Sequence, residues 1–477
     1  MSAPLRMTTR AAGAHRSAPG GFTLVELMVA MTISLLLLAA LVSIFLNTSR
    51  SQSEMVKMNG LIENGRIAIQ IMQDDLVHSG FWAGYLPGFD DLTSTLAPDD
   101  APTTIPNPCQ LYPTWDSVYR FSLLGVPVQS ADVLPAGPGC LAPALLRVGT
   151  DVLVVRHVDT CVPGVGNCEA DMVGRLYFQS SFCAAERNAG TVQAAASNSV
   201  TLAPTASAVD NAYTGVTIRI ASGLGAGQHR AISAYDGATR VATLSTPWTV
   251  IPDNTTQYAF DYALGTNSFP LHQRDCVGTG TPTTLPITAG SIAEKRRYIS
   301  NIYYITDVPH PERVGEVIPT LVRSRFDLSA GTLAQQAPEA LIDGVEAFRV
   351  ELGIDEVSDS GDAVDYTAAI DWADASKTSP TNRGDGAPDQ FVRCTTAAPC
   401  SAAQLSNVVA VKLYVLARTR DRTPGYTDSK SYCLGEPAAD GSCPAASTIA
   451  AANDNYKRHV FTTSVRLTNI SGRRETP

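Results

Sequence analysis

Gly20-Gly21-Phe22-Thr23-Leu24-Val25-Glu26-Leu27 opens the stretch on which the reading of this chain turns. Ahead of it lies a short leader with Arg6, Arg10, His15 and Arg16 and no acidic residue. Behind it, Leu27 to Leu46 is a block of 20 residues without a charge, its apolar run interrupted only by Thr32, Ser34 and Ser43. As a helix rising about 1.5 Å per residue, that block spans roughly 30 Å, the thickness of a bilayer core. Glu26 is a lone acid near its start.

Three readings compete. A secretory signal is cut after its apolar region, at a small-residue site. Here the candidate cut, between Gly21 and Phe22, comes before that region, and the apolar run is too long for such a signal. An ordinary single-span anchor leaves Glu26 and the Gly-Gly pair without a reason. The third reading is a prepilin. The string GFTLVELMVAMTISLLLLAALVSIF resembles the type IV pilin N-terminus along its whole length. That resemblance implies cleavage after Gly21, N-methylation at Phe22 and retention of the helix. It also implies that Glu26, the fifth residue of the mature chain, pairs with the N-terminal amine of a neighbouring subunit during assembly. An acid held in lipid is costly and marks a function with a nearby partner. The plainer alternative is a carboxylate that snorkels to the headgroups.

At 477 residues the chain has room for more than one domain, and its 44% hydrophobic and 17% charged content predicts real cores. The formal charge is −10; without the three leader arginines, 32 basic residues face 45 acidic ones, giving −13. Such a surface disfavours phosphate backbones, so no nucleic-acid partner is expected.

The ten cysteines include no C-x-x-C pair, and the seven histidines lack zinc-ligand spacing, so no metal site is expected. An even count behind a membrane anchor predicts disulfides in an oxidising space. Cys161 with Cys168, Cys394 with Cys400, and Cys433 with Cys443 would close short loops rich in Pro and Gly. Cys109 with Cys140 and Cys183 with Cys276 is the expected pairing of the rest, although connectivity is open at this level and free buried thiols are the alternative.

Apolar residues continue past the membrane block at Met55, Met58, Ile62, Ile69, Met72 and Leu76, one stripe of an amphipathic helix. The helix is expected from Phe22 to Ser79, about 87 Å long, with a bend near Gly60 and Gly65 and a stop at Gly80. Residues 85–150 are rich in Pro, Asp and Thr and predict a long disulfide-tied loop region. Strands are expected over Asp151–Val158, Val173–Gln179, Val216–Ile220, His229–Tyr235, Arg240–Leu244, Gln257–Asp261, Arg297–Thr306, Thr320–Leu328, Leu341–Gly353, Val408–Arg418 and His459–Asn469. Asp236-Gly237 is a hairpin turn signal.

The segment ENGRIAIQIMQDDLVHSGFWAG, Glu63 to Gly84, resembles the matching part of PilW-type minor pilins. The pieces LIDGVEAFRVELGID, DGAPDQF, NVVAVKLYVLAR and KRHVFTTSVRLTNI resemble the same pattern in the same order. Together these cover the first 85 residues and most of 297–470. The run from Gly225 to Leu244, followed by Pro247-Trp248, resembles a small β module of phage structural proteins.

The resemblance implies an α+β, type IV pilin-like fold: a long N-terminal α-helix packed on an antiparallel β-sheet head, with an inserted small β module. The divisions are a leader at 1–21, a transmembrane and amphipathic helix at 22–80, and a periplasmic head at 81–477 with the insert at 187–261. The implied role is a minor pilin that helps prime a type IV pilus and enters it near the tip. Its implied partners are other minor and major pilins, a prepilin peptidase, the inner-membrane assembly platform and a tip adhesin. A tip-located adhesive module and a type II secretion pseudopilin are the alternatives. Twitching motility, adhesion and DNA uptake are not separated at this level.

Other candidate chemistry is thin. No hydrolase elbow, zinc-protease helix, P-loop or Rossmann fingerprint occurs, so no enzyme and no cofactor are expected. Gly223-Leu224-Gly225-Ala226-Gly227 lacks phosphate-loop spacing. Asp355, Glu356, Asp359, Asp362 and Asp365, and Asp385 with Asp389, form acidic clusters. They lack EF-hand spacing and read as solvated loops rather than calcium sites. His157 reads as a surface or satisfied strand histidine rather than a catalytic one.

Overall fold

The computed structural model describes residues 21–92, 97–140, 146–180, 190–266 and 293–475. Two units make it up, one ending at Lys57 and one running from Met58 to the C-terminus. The first helix, α1 (Leu24–His78, 55 residues), begins in the first unit. All of its residues up to Ser53 are exposed. This stretch has a mean hydropathy of 2.7 over its most apolar window and is long and apolar enough to cross a membrane.

In the second unit, α1 buries Leu61, Gly65, Ala68, Met72 and Leu76. Their steps are four, three, four and four, one face of a helix. This corrects the expected stripe. Met55 and Ile62 are 62% and 47% exposed, while Met58 and Ile69 are half-buried. Bulky apolar residues suggested the face, but two of its buried positions are the small residues Gly65 and Ala68. The helix runs through Gly60 and Gly65 as one element.

Among the described residues, fourteen strands join in one antiparallel sheet: β1 (Val128–Ala131), β2 (Val152–Val158), β3 (Tyr177–Ser180), β4 (Gly190–Thr191), β5 (Ala194–Ala196), β6 (Ser199–Thr201), β7 (Val216–Ser222), β8 (His229–Asp236), β9 (Val241–Leu244), β10 (Gln257–Gly265), β11 (Arg296–Pro309), β12 (Val317–Ser329), β13 (Thr332–Gln335) and β14 (Glu339–Asp343). The main path runs β1-β2-β11-β3-β10-β7-β8-β9-β6-β5. A second sheet has the order β16 (Gln390–Val392), β15 (Val345–Ile354), β17 (Val408–Arg418), β20 (Arg458–Arg466). A third is the pair β18 (Tyr432–Cys433) and β19 (Thr448–Ile449).

The main core lies where α1 meets both large sheets. Ala68, Met72 and Leu76 pack with Leu153 and Val155 of β2, Tyr303 and Ile305 of β11, and the inward rows of β15 and β17. On β15 that row is Phe348, Val350, Leu352 and Ile354, alternate residues sharing one face. The opposite face buries Ala347, with Tyr414 and Leu416 of β17, beneath Leu434.

Several boundaries differ from expectation. The region 85–150 holds α2 (Ser117–Gly125), capped by the Asp116 side chain on the Tyr119 N–H, and strand β1. α2 buries every residue but Val118, the polar Ser117, Arg120 and Ser122 included. The strand expected at 173–179 begins only at Tyr177, after Gly174 turns with φ +87°. The expected Leu341–Gly353 strand is two, split at Gly344, whose φ of +80° a side chain adopts only with strain. The last strand stops at Arg466, and α4 (Thr468–Arg474) follows; a short helix α3 (Ala402–Ser406) precedes β17.

Between β4 and β10 the chain builds a core of its own, with Val192, Ile218, Ile220, Tyr235, Trp248 and Phe260 among its buried residues. Its strands also continue the head sheet, because one end of β10 pairs with β3 and the other with β4, while β7 lies along its opposite edge. The Asp236-Gly237 signal sits in the β8–β9 turn, where Asp236 Oδ1 accepts from the Ala238 and Thr239 N–H groups. The Gly223–Gly227 run is the β7–β8 turn.

Candidate functional site

The N-terminal site is built by four residues. Thr23 Oγ1 accepts from the Glu26 backbone N–H at 3.3 Å, and the Glu26 carboxylate accepts from the Thr23 backbone N–H at 2.9 Å. This reciprocal pair is a capping box. It explains why helical geometry starts at Leu24 rather than Phe22. Sequence reasoning missed it, although T-x-x-E ahead of an apolar run is its signature. Gly21 and Phe22 precede the helix in non-helical backbone, open to an incoming group. The neighbouring faces are bare: Phe22 and Leu24 are among the most exposed large apolar residues. One carboxylate therefore stands in an apolar field next to an accessible Gly-Phe bond. Gly20 lies outside the described residues.

Inside the head, polar side chains lock α1 to the sheet. Asp75 Oδ1 meets His157 Nε2 at 2.8 Å, and Asp75 Oδ2 accepts from Asn301 Nδ2 at 2.9 Å. The other ring nitrogen of His157 meets the Val158 carbonyl at 2.9 Å. Both nitrogens are engaged, so His157 acts in packing, not as an exposed base.

The acidic residues do not converge. Asp389 Oδ2 accepts from the Glu356 and Val357 N–H groups at 2.7 and 2.8 Å. Asp365 and Asp385 cap the following turns through the Thr367 and Ala387 N–H groups. Asp355 is fully buried, accepts from the Gly386 N–H at 3.0 Å and meets Arg474 at 3.5 Å. Burial raises its carboxyl to about 6, and the Arg474 charge only partly opposes this. Among the described residues, no group of three or more His, Cys, Asp or Glu is placed to hold a metal ion.

Arg474 is the centre of a lock not foreseen from sequence. It is 2% exposed and bonds Asp90 at 3.2 Å and the Ser406 carbonyl at 2.7 Å, beneath the Tyr366 ring. Arg473 reaches the same Asp90 at 2.8 Å and the Gly80 carbonyl at 3.2 Å. These bonds pin the last helix to the turn that ends α1.

Disulfides join Cys109 to Cys140, Cys161 to Cys168, Cys394 to Cys400, and Cys433 to Cys443. The expected Cys183–Cys276 pair lies outside the described residues.

Comparison with known proteins follows the same two segments. Residues 16–42 match the prokaryotic N-terminal methylation motif, and residues 302–469 match the model of Type IV Pilus-assembly protein W. The methylation motif and the apolar helix behind it give the chain a type IV pilin-like N-terminus. Its head carries a stretch similar to the Type IV Pilus-assembly protein W family. A type IV-like pilin from Thermus thermophilus is similar over 36% of this chain and 79% of its own, with 18% identity and a TM-score of 0.16. So loose a superposition adds nothing to the fold. No curated protein matches the chain.

Proposed function

We propose that this pilin helps prime assembly of a type IV pilus and enters it near the tip. A prepilin peptidase cuts after Gly21, Phe22 is N-methylated, and Glu26 docks on the terminal amine of a neighbouring pilin. Before assembly, α1 crosses the inner membrane once and the head lies in the periplasm, where oxidising conditions suit its disulfides. Major and other minor pilins, the inner-membrane platform and a tip adhesin are its partners. Its work is packing, not catalysis.

The observation that carries this reading is the exposed half of α1, an apolar helix with a single acid four residues behind Phe22. Such a surface is not stable alone in water, so lipid or a filament core takes it. The acid then needs a cation, and a fresh amino terminus is the nearest one the chemistry supplies. The test is deletion of the gene, scored for surface pili with retraction intact and with retraction blocked. Pili lost in the first strain and recovered in the second indicate priming. Undiminished piliation with retraction intact overturns the proposal.

A further inference from the structure

β20 ends the second sheet, with β17 on one side and, among the described residues, no strand on the other. Its register runs unbroken from Arg458 opposite Arg418 to Arg466 opposite Ala410. Just beyond its two ends, the Lys457 carbonyl accepts from the Thr419 N–H and the Leu467 N–H donates to the Val409 carbonyl, each at 2.9 Å. Odd-numbered residues therefore bond β17, and even-numbered ones turn their N–H and C=O groups the other way. Among the described residues, the backbone groups of Val460, Thr462 and Ser464 meet no partner on that side.

An open edge is a template for pairing, and proteins blunt it with a short strand, a charge, a proline, a bulge or a cover. Among the described residues, β20 has none of these. It is nine residues long, whereas the ends of the other strand paths, β1, β5 and β16, have four, three and three. His459 to Val465 contains no Lys, Arg, Asp, Glu or Pro, and the pairing with β17 has no bulge. Thr462 and Ser464 are exposed and, as alternate residues, share one face. On that face they line a cavity of about 460 Å³ together with Glu436 and Pro437.

We infer that this edge takes an extended, uncharged strand from another protein. Donors and acceptors alternate along it at the repeat of a strand, and a second strand is the partner that presents their complements at the same repeat. Every second side chain of the added strand falls on the face of Thr462 and Ser464, beside the cavity. The charges in that lining, Lys412 and Glu436, are already paired at 2.6 Å, so an uncharged side chain suits it. A second copy of this chain is the poorer match. Antiparallel pairing over the whole of β20 puts Arg458 opposite Arg466 at both ends, and like charges facing each other weaken a sheet. The edge does not involve Gly21, Phe22 or Glu26, so its failure leaves the assembly proposal standing, and the reverse.

Fluorescence polarisation on the detergent-solubilised full chain tests it. The probe is a labelled peptide of alternating Thr and Val, matching His459 to Val465 in length. Saturable binding is expected, with none by the same peptide N-methylated at every residue, which cannot pair as a strand. Thr462→Pro removes one outward N–H, a change that an edge strand tolerates, and should weaken binding at least about tenfold. Thr462→Ala keeps the backbone and should bind as wild type does. Ser464→Lys puts a charge on the edge and should weaken binding with an unchanged melting temperature, which decides the matter even where the proline variant does not fold. Absence of peptide binding, equal binding by Ser464→Lys, or a dimer of the full chain that Ser464→Lys dissolves overturns the inference.

Discussion

A β-carbon added to Gly65 would sit 2.1 Å from Cε2 of Phe461, so α1 touches β20 only because position 65 has no side chain. Two effects oppose each other in Gly65→Ala. Helix propensity improves by about 1 kcal/mol, while overpacking costs about 1–3 kcal/mol. We expect net destabilisation in the wild-type background, with the half-buried Phe461 ring pushed from its edge contact with His459. In a Phe461→Ala background the clash is gone, and Gly65→Ala should stabilise by about 1 kcal/mol. Chemical denaturation of the four variants forms the cycle. Equal effects in the two backgrounds would show that the contact does not limit the helix.

Glu26 has two jobs that substitutions separate. Its carboxylate caps α1 through Thr23, and its charge is proposed to meet a neighbour's amine. Glutamine also completes a capping box. Glu26→Gln should therefore keep the helix start yet fail to enter pili, while Glu26→Ala loses both functions, with about 1 kcal/mol lost from the cap. Both variants should still insert in the membrane. Pili containing Glu26→Gln at the wild-type level, measured by immunoblot of sheared fibres, would leave the cap as the sole role.

Asp355 gives the head a pH response of known sign. Its carboxyl is raised from 3.8 to about 6 by burial, so the folded state holds the proton more tightly than the unfolded chain. The associated stability is fully present below about pH 4 and is lost as pH rises to about 6. The stability of wild type minus that of Asp355→Asn should fall across this window by about 2–3 kcal/mol. Thermal melts from pH 4 to 7 read that difference, and a flat difference would contradict the assignment.

The disulfides should rank by the loop each one closes. Cys109–Cys140 spans 31 residues and Cys394–Cys400 spans 6. Chain entropy makes the longer link worth about 1.5 kcal/mol more. Cys109→Ser with Cys140→Ser should lower the denaturant midpoint more than Cys394→Ser with Cys400→Ser. The opposite order would mean that packing around the shorter link outweighs loop entropy.

Removing Arg474 should be severe. Arg474→Met leaves Asp90 and Asp355 buried without this partner, a loss of about 3–5 kcal/mol. Asp90 keeps Arg473, which places the expected value toward the lower end. A change within about 0.5 kcal/mol, the scale of an ordinary surface substitution, would mean that the lock contributes nothing to stability.

The apolar block behind Phe22 could be read in the linear chain because its length and lack of charge are enough to specify a membrane-length helix. VVAVKLYVLAR, Val408 to Arg418, was legible for a related reason: a run of β-branched and apolar residues favours a buried strand wherever it is placed, and β17 has those bounds. α2 was hidden because its nine residues give only a short periodic signal inside a stretch rich in Pro, Asp and Thr. The choice of Gly65 over Met55 as a contact depended on how closely Phe461 approaches, and the Arg474–Asp90 pair joins residues 384 positions apart. Propensity and hydropathy act over a few neighbouring residues, so the chain alone determined the membrane-length helix and most strands. Which small residue admits a distant ring, and which buried charge meets its opposite, depends on strand order and helix approach, and only the tertiary structure decides those.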